Sequence, residues 1–274
     1  MLSQSIYLTI CFFLVMSCGP SPNKKEKDVV FVINNIDNSA KPKSVQAQKM
    51  KNLDIDYCMG RFEPKSHEDF IAIQIKYADR EGMYMRADAY SAFEKMYKEA
   101  KKDGVNLQIK SAARNFDYQK GIWERKWTGA TELSDGTNVS TDISAPIDKA
   151  LKILEYSSMP GTSRHHWGTD IDLNAFNNEY FEKGEGKKIY DWLNSNASTY
   201  EFCQPYTQKG PNRPDGYNEE KWHWSFQPIS QSITNYAEDH MRNEMVSGFL
   251  GAETAVDIDV VLKYVLGING GCRH

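Results

Sequence analysis

Two short polar segments, far apart in the chain, constrain the fold more than any other feature. Ser163-Arg164-His165-His166-Trp167-Gly168-Thr169-Asp170-Ile171-Asp172 is the densest polar cluster in the sequence. Glu220-Lys221-Trp222-His223 adds a further histidine with an acid three positions ahead of it. Thr169 to Leu173 alternates as a strand, so Thr169, Ile171 and Leu173 face one way and Asp170 and Asp172 the other. Trp222 to Phe226 reads as a second short, aromatic strand. Two histidines and an aspartate from separate segments make a three-ligand zinc site, and a catalytic zinc needs its fourth position open for water. A glutamate three residues before a ligand histidine can stand beside the ion without ligating it and carry protons there. With a strand over 222–226, Glu220 belongs at or before its start, because i and i+3 point to opposite faces. The competing reading is a structural zinc. Such a site normally has four protein ligands, often Cys, and no Cys lies near.

The rest of the chain supplies the frame. Alternating periods of three and four predict a helix from Arg86 to Lys102, with Ala89, Phe93, Met96, Tyr97 and Ala100 on its buried face and Gly104 past its end. A strand is expected from Val105 to Ile109, running into Ser111-Ala112-Ala113-Arg114. Further helices are expected over Tyr118 to Lys126, Ile147 to Tyr156 and Lys187 to Asn194. Pro205 to Tyr217 is a loop, and the tail from Ile229 to Leu266 reads as mostly helical. Helices mixed with a few strands, without regular alternation, indicate an α+β fold: a small antiparallel sheet flanked by helices, carrying a zinc cleft, with a helical C-terminal extension. The 274 residues are 40% hydrophobic with 6 Trp, 15 Tyr and 12 Phe, enough for a sizeable core and against disorder. A net charge of −4 argues against nucleic acid, and no protein partner is indicated.

The N-terminus reads as an address. Ile6 to Met16 is apolar apart from Thr9, the length of a signal-peptide core rather than of a membrane span. It runs into Val15-Met16-Ser17-Cys18, which resembles a bacterial lipobox, although no Lys or Arg precedes the run. The expected organisation is a lipoprotein signal peptide over 1–17, lipidation at Cys18, a flexible tether over 18–52, and a folded domain carrying the zinc site over 53–274 with its helical tail from about residue 229. The alternatives are a plain secretory signal or a buried N-terminal helix. Export would place the domain in the cell envelope, lipid-anchored to a membrane and facing a periplasm. Among Cys58, Cys203 and Cys272, at most one disulfide can form and one thiol is left over.

The order Ser-x-His-x-x-Gly-x-x-x-Asp followed by Glu-x-Trp-His, met by Ser163, His165, Gly168, Asp172, Glu220, Trp222 and His223, resembles the VanY-like D-alanyl-D-alanine carboxypeptidases, zinc peptidases of peptidoglycan. Ser111-Ala112-Ala113-Arg114-Asn115-Phe116-Asp117-Tyr118-Gln119 is similar to that family's arginine segment, and the resemblance spans roughly residues 84–226. It implies His165, Asp172 and His223 as ligands of one Zn2+ ion and Glu220 as general base and acid. It implies Arg114 as the group that polarises the scissile carbonyl or holds the terminal carboxylate, with Ser163 and Gln119 as substrate contacts. The implied activity is removal of a terminal D-alanine from peptidoglycan stem peptides. A cross-link endopeptidase and a non-catalytic wall-binding lipoprotein are the alternatives. Three departures stand out. Asp170 replaces a small residue and either competes with Asp172 as ligand or orients a ligand histidine from behind. His166 is an extra histidine, expected at the surface or behind the ligands. Ala112 and Ala113 replace the usual Gly and Tyr, which reshapes that side of the pocket.

Overall fold

The computed structural model describes Met50 and residues 53–273. The expected signal peptide, Cys18 and nearly all of the tether lie outside the described residues. The fold begins with helix α1, Ile55–Cys58, whose Asp54 side chain accepts a hydrogen bond from the Tyr57 amide at 2.8 Å. Tyr57 is buried, and its hydroxyl donates to the Trp167 carbonyl at 3.1 Å. The Trp167 indole donates back to the Cys58 carbonyl at 3.0 Å. The first folded turn is thereby tied to the histidine-bearing segment.

Strands β1 (Phe70–Ala72) and β2 (Tyr84–Arg86) form a two-stranded antiparallel sheet leading into α2, Ala87–Lys102. Ala89, Phe93, Met96 and Ala100 are fully buried along α2, as their spacing predicts, while Lys101 and Lys102 complement the helix C-terminus. Strand β3 covers Ile109–Ser111 only, a correction to the strand expected from Val105. The reason is that Asn174 turns the neighbouring strand away with φ of 64°. Its side chain then takes over the pairing, donating to the Asn106 carbonyl at 2.8 Å and accepting from the Gln108 amide at 3.3 Å.

Helix α3 runs from Phe116 to Trp127, starting two residues before the expected Tyr118 because Asn115 caps it, accepting from the Tyr118 amide at 2.8 Å. After α4 (Val139–Asp142) and α5 (Pro146–Ile153, with proline in its first turn), the chain enters β4, Asp170–Leu173. Then follow α6 (Gly184–Asn196), β5 (Phe202–Cys203), β6 (His223–Phe226) and α7 (Gln227–His240). The second sheet has the order β3-β4-β6-β5, antiparallel throughout. This is the α+β architecture with a small antiparallel sheet that the sequence indicates.

The tail is less continuous than expected. α7 ends at His240, and beyond it come only short turns, α8 (Thr254–Ile258), a π-turn over Val261–Val265 and α9 (Gly270–Arg273). Gly248 and Gly251 take φ of 91° and 81°, conformations that end helices. The tail packs back on the domain: α8 lies against α5, and α9 against α7. A Cys203–Cys272 disulfide ties α9 to strand β5 and leaves Cys58 as a buried free thiol. No helix among the described residues is long and apolar enough to cross a membrane.

Candidate active site

Register brings the two polar segments together. Asp172 lies directly opposite His223 and Asp170 opposite Ser225, so all four side chains share one face of β4 and β6. Ile171 and Trp224 pair on the other face, in the core. The alternation read from Thr169 to Leu173 therefore separates core from chemistry.

His165 reaches this face from a 3₁₀ turn over Arg164–Trp167. Gly168 ends the turn at φ 71°, and a Cβ there would sit 2.3 Å from the Phe70 ring. Glycine is needed on both counts. The Nδ1 of His165 donates to the Ala112 carbonyl at 2.9 Å, which leaves Nε2 as the bare lone pair, 3.3 Å from Asp172 Oδ2. His223 presents the opposite nitrogen. Its Nε2 is held at 2.9 Å by Asp170 Oδ2, and its Nδ1 points inward, 3.4 Å from Asp172 Oδ1 and 3.0 Å from Glu220 Oε2. One ligand atom from each of His165, Asp172 and His223 lies within 4.8 Å of the other two, and all three residues are buried. Asp172 Oδ1 has no hydrogen-bond partner among the described residues.

These atoms fit a zinc ion. Ligand bonds of about 2.0–2.1 Å in a tetrahedron separate neighbouring donors by roughly 3.3 Å; His165 and His223 each approach a different Asp172 oxygen, at 3.3 and 3.4 Å, and the three-residue set lies within 4.8 Å. An orphaned buried carboxylate oxygen and two oriented imidazole nitrogens converging on one point are what a cation would satisfy.

Asp170 is not one of the converging groups. Its Oδ2 faces His223 and the Arg164 Nε at 3.0 Å, and its Oδ1 accepts from Thr169 and Ser225, both at 2.7 Å. With both oxygens occupied, Asp170 has the contacts expected of the orienting role among the two left open by the sequence. Arg164 is the residue that sequence reasoning passed over. It is 1% exposed and donates to Asp170, to Thr234 at 3.0 Å and to Ser225 at 2.8 Å, with its guanidinium 4.4 Å from the Trp167 ring. A lone arginine between a capping serine and a histidine carries no sequence signal for this. Only the register of β4 with β6 reveals it. Tyr206 was also missed; its ring packs edge-on against His223 with centroids 4.8 Å apart.

His166 is not at the surface. It is fully buried, its Nδ1 donating to the Arg114 carbonyl at 2.6 Å and its Nε2 accepting from the Gly161 amide at 3.0 Å. It fixes the backbone that carries Arg114. Ser163, implied as a substrate contact, is also buried; its hydroxyl accepts from the His165 amide at 3.3 Å and it does not line the cleft. The serine caps the turn that presents His165. Gln119 does line the cleft. Its Nε2 donates to the Ser158 carbonyl at 2.8 Å, and its Oε1 has no partner among the described residues. Arg114 Nη1 donates to Ser111 Oγ at 3.1 Å and stands 3.8 Å from Asp172 Oδ2.

The electrostatics separate two acids on this face. Burial pushes the Asp172 carboxyl up, but His165, His223 and Arg114 outweigh it and hold it below the usual range. Burial, with Asp172 beside it, pushes Glu220 up against the opposing pull of His223 and Arg114. Burial lowers His165, assisted by Arg114. It would lower His223 as well, but hydrogen bonds to Asp170 and Glu220 push that imidazole up to about 9. The site thus holds one carboxyl group kept below its usual range, Asp172, and one kept above it, Glu220. Arg114, His165, Asp172, Glu220 and His223 line a cleft of about 920 Å³ bounded by Gln119, Lys126, Tyr156, Phe176 and Trp222.

A candidate metal site on one face of a small antiparallel sheet in an α+β fold is the class these features define. Residues 82–229 match the VanY D-alanyl-D-alanine carboxypeptidase family, and the chain belongs to that family. It is 26% identical over 175 residues to the putative carboxypeptidase YodJ of Bacillus subtilis, covering 60% of this chain and 54% of that protein. It is 24% identical over 143 residues to a D-alanyl-D-alanine carboxypeptidase of Enterococcus faecalis, covering 52% and 47% respectively. The chain therefore spans about half the length of these two curated relatives. Among solved structures it is similar to the LD-carboxypeptidase LdcB, with a TM-score of 0.47 and 22% identity over 71% of this chain and 79% of that one.

Proposed function

We propose that this protein is a zinc-dependent carboxypeptidase that removes the terminal D-alanine of peptidoglycan stem peptides. The convergence of His165 Nε2, Asp172 and His223 Nδ1 beside Glu220 is the observation that carries this reading. These three residues would hold one zinc ion, which would supply Lewis acidity for activating water and polarising a carbonyl. Glu220 is buried within hydrogen-bond reach of a ligand nitrogen, and its raised pKa suits a carboxylate that takes a proton from the attacking water. The same oxygen then gives that proton to the departing amine of D-alanine. Arg114, beside Asp172, is placed to hold the oxygen on which charge develops. Gln119 Oε1, buried and unpartnered on the cleft wall, is an acceptor suited to a peptide N–H.

The Val15-Met16-Ser17-Cys18 segment supports a lipid anchor at Cys18, with the domain held at a bacterial membrane and facing the periplasm. The test is to incubate zinc-loaded protein with defined muropeptides and weigh the products by mass spectrometry. Loss of a single D-alanine is expected. Cleavage inside a cross-link would instead identify an endopeptidase, and unchanged masses a wall-binding protein.

A further inference from the structure

Helix α3 presents Gln119, Ile122 and Lys126 to the cleft, positions i, i+3 and i+7 on one stripe. The helix is anchored on the adjoining stripe by Trp123, fully buried with its indole donating to the Leu250 carbonyl at 2.8 Å. Lys126 is half-buried, and its ammonium donates to the hydroxyl of Ser157. Among the described residues no carboxylate pairs with it. The other lysine on the cleft wall, Lys152, is neutralised by Asp135 at 2.8 Å and Glu155 at 3.0 Å. Burial and the neighbouring charge of Arg114 push the Lys126 pKa down, against the opposing pull of Glu220. Arg114 and Lys126 both face the cleft, and among the described residues no carboxylate stands within ion-pair distance of Lys126, which leaves its ammonium open to an anion.

We infer that Lys126, with Ser157, receives the terminal carboxylate of the peptide substrate, leaving Arg114 to the scissile carbonyl. This rests on the carboxypeptidase reading and assigns the end of the peptide that the reading leaves open. Arg114 is committed close to the metal-binding face by Ser111 and by Asp172 at 3.8 Å. The terminal carboxylate lies one residue beyond the scissile carbonyl, so a second and separate cation is needed to read it. An ammonium with spare donors, steadied by one hydroxyl, meets that need.

The test compares an N-acetylated stem peptide ending in free D-alanine with the same peptide ending in D-alaninamide. The zinc-loaded protein should favour the acid by about 10- to 100-fold in kcat/KM, the range expected for a charge-assisted hydrogen bond. Lys126→Met should raise KM for the acid by that factor, leave kcat nearly unchanged and abolish the preference. Lys126→Arg should restore most of it. Zinc content and thermal unfolding of each variant establish that the fold is intact. Equal handling of acid and amide by the unsubstituted protein would overturn the inference without any variant. So would a preference that survives Lys126→Met while D-alanine is still released. If the unsubstituted protein releases no D-alanine at all, the underlying reading fails, and the assignment of Lys126 fails with it.

Discussion

Asp170 and Asp172 sit two positions apart on one strand, yet only one offers a free oxygen to a cation. Asp170 has both oxygens occupied, by His223 and Arg164 on one side and by two hydroxyls on the other. Asp172 leaves Oδ1 unpartnered and faces two imidazole nitrogens. Asp170→Asn should therefore weaken zinc binding about 10- to 100-fold, as losses of groups that orient a ligand do, measured by competition with a chelator. It should also lower thermal stability, because Arg164 would remain buried without its counter-charge. Unchanged zinc affinity would remove Asp170 from the metal centre. Glu220→Gln separates binding from turnover. It should keep a full complement of zinc and lose roughly 10²- to 10⁴-fold in kcat, the usual contribution of a positioned acid–base, and normal hydrolysis would exclude Glu220 as the proton carrier.

The site was readable in the sequence where identity alone fixes chemistry. His165, Asp172, His223 and Glu220 stand in a fixed order, and strand alternation already set both aspartates on one face. What could not be read depends on contacts across the fold. Whether Ser163 faces solvent or caps a turn, and whether His166 is exposed or locked between Gly161 and Arg114, is settled by neighbours from other segments.

At the scale of elements, the parts that matched expectation carry strong local signals. α2 has an uninterrupted apolar stripe, and β4 has clean alternation. The parts that differed were decided elsewhere. Val105 to Gln108 has strand-like residues, but Asn174 side-chain bonds replace the partner strand, and the tail is broken by glycines at positive φ. The segment from Gly161 to Gly168 has its own pH dependence through His166. Burial, with Arg114 and His165 nearby, pushes this imidazole down to about 3. The unfolded chain binds that proton near pH 6.5 and the folded protein does not. This contribution is therefore complete above about pH 6.5 and declines as pH falls toward about 3, by up to 1.4 kcal/mol per pH unit. Chemical denaturation between pH 7 and pH 5 should show the decline, and His166→Gln should flatten it. An equally steep profile in that variant would assign the effect to other groups.

Across the described domain, the C-terminal tail acts as a brace rather than as a separate module. α9 is held to β5 by the Cys203–Cys272 disulfide, which closes a segment of 69 residues containing β6 and His223. Loop-closure entropy for that length corresponds to about 4 kcal/mol of stabilisation. Reduction, or Cys203→Ser with Cys272→Ser, should lower the unfolding free energy by an amount of this order, read by denaturant titration, with zinc affinity falling only as the fold loosens. Stability unchanged by reduction would show that packing of α9 against α7 suffices without the covalent link.

The most direct test of the whole account is anomalous scattering at the zinc edge from crystals of the metal-loaded protein. One peak is expected about 2.0–2.2 Å from His165 Nε2, His223 Nδ1 and an oxygen of Asp172, with no fourth protein ligand. A peak elsewhere, or one bound by Asp170 in place of Asp172, would contradict it.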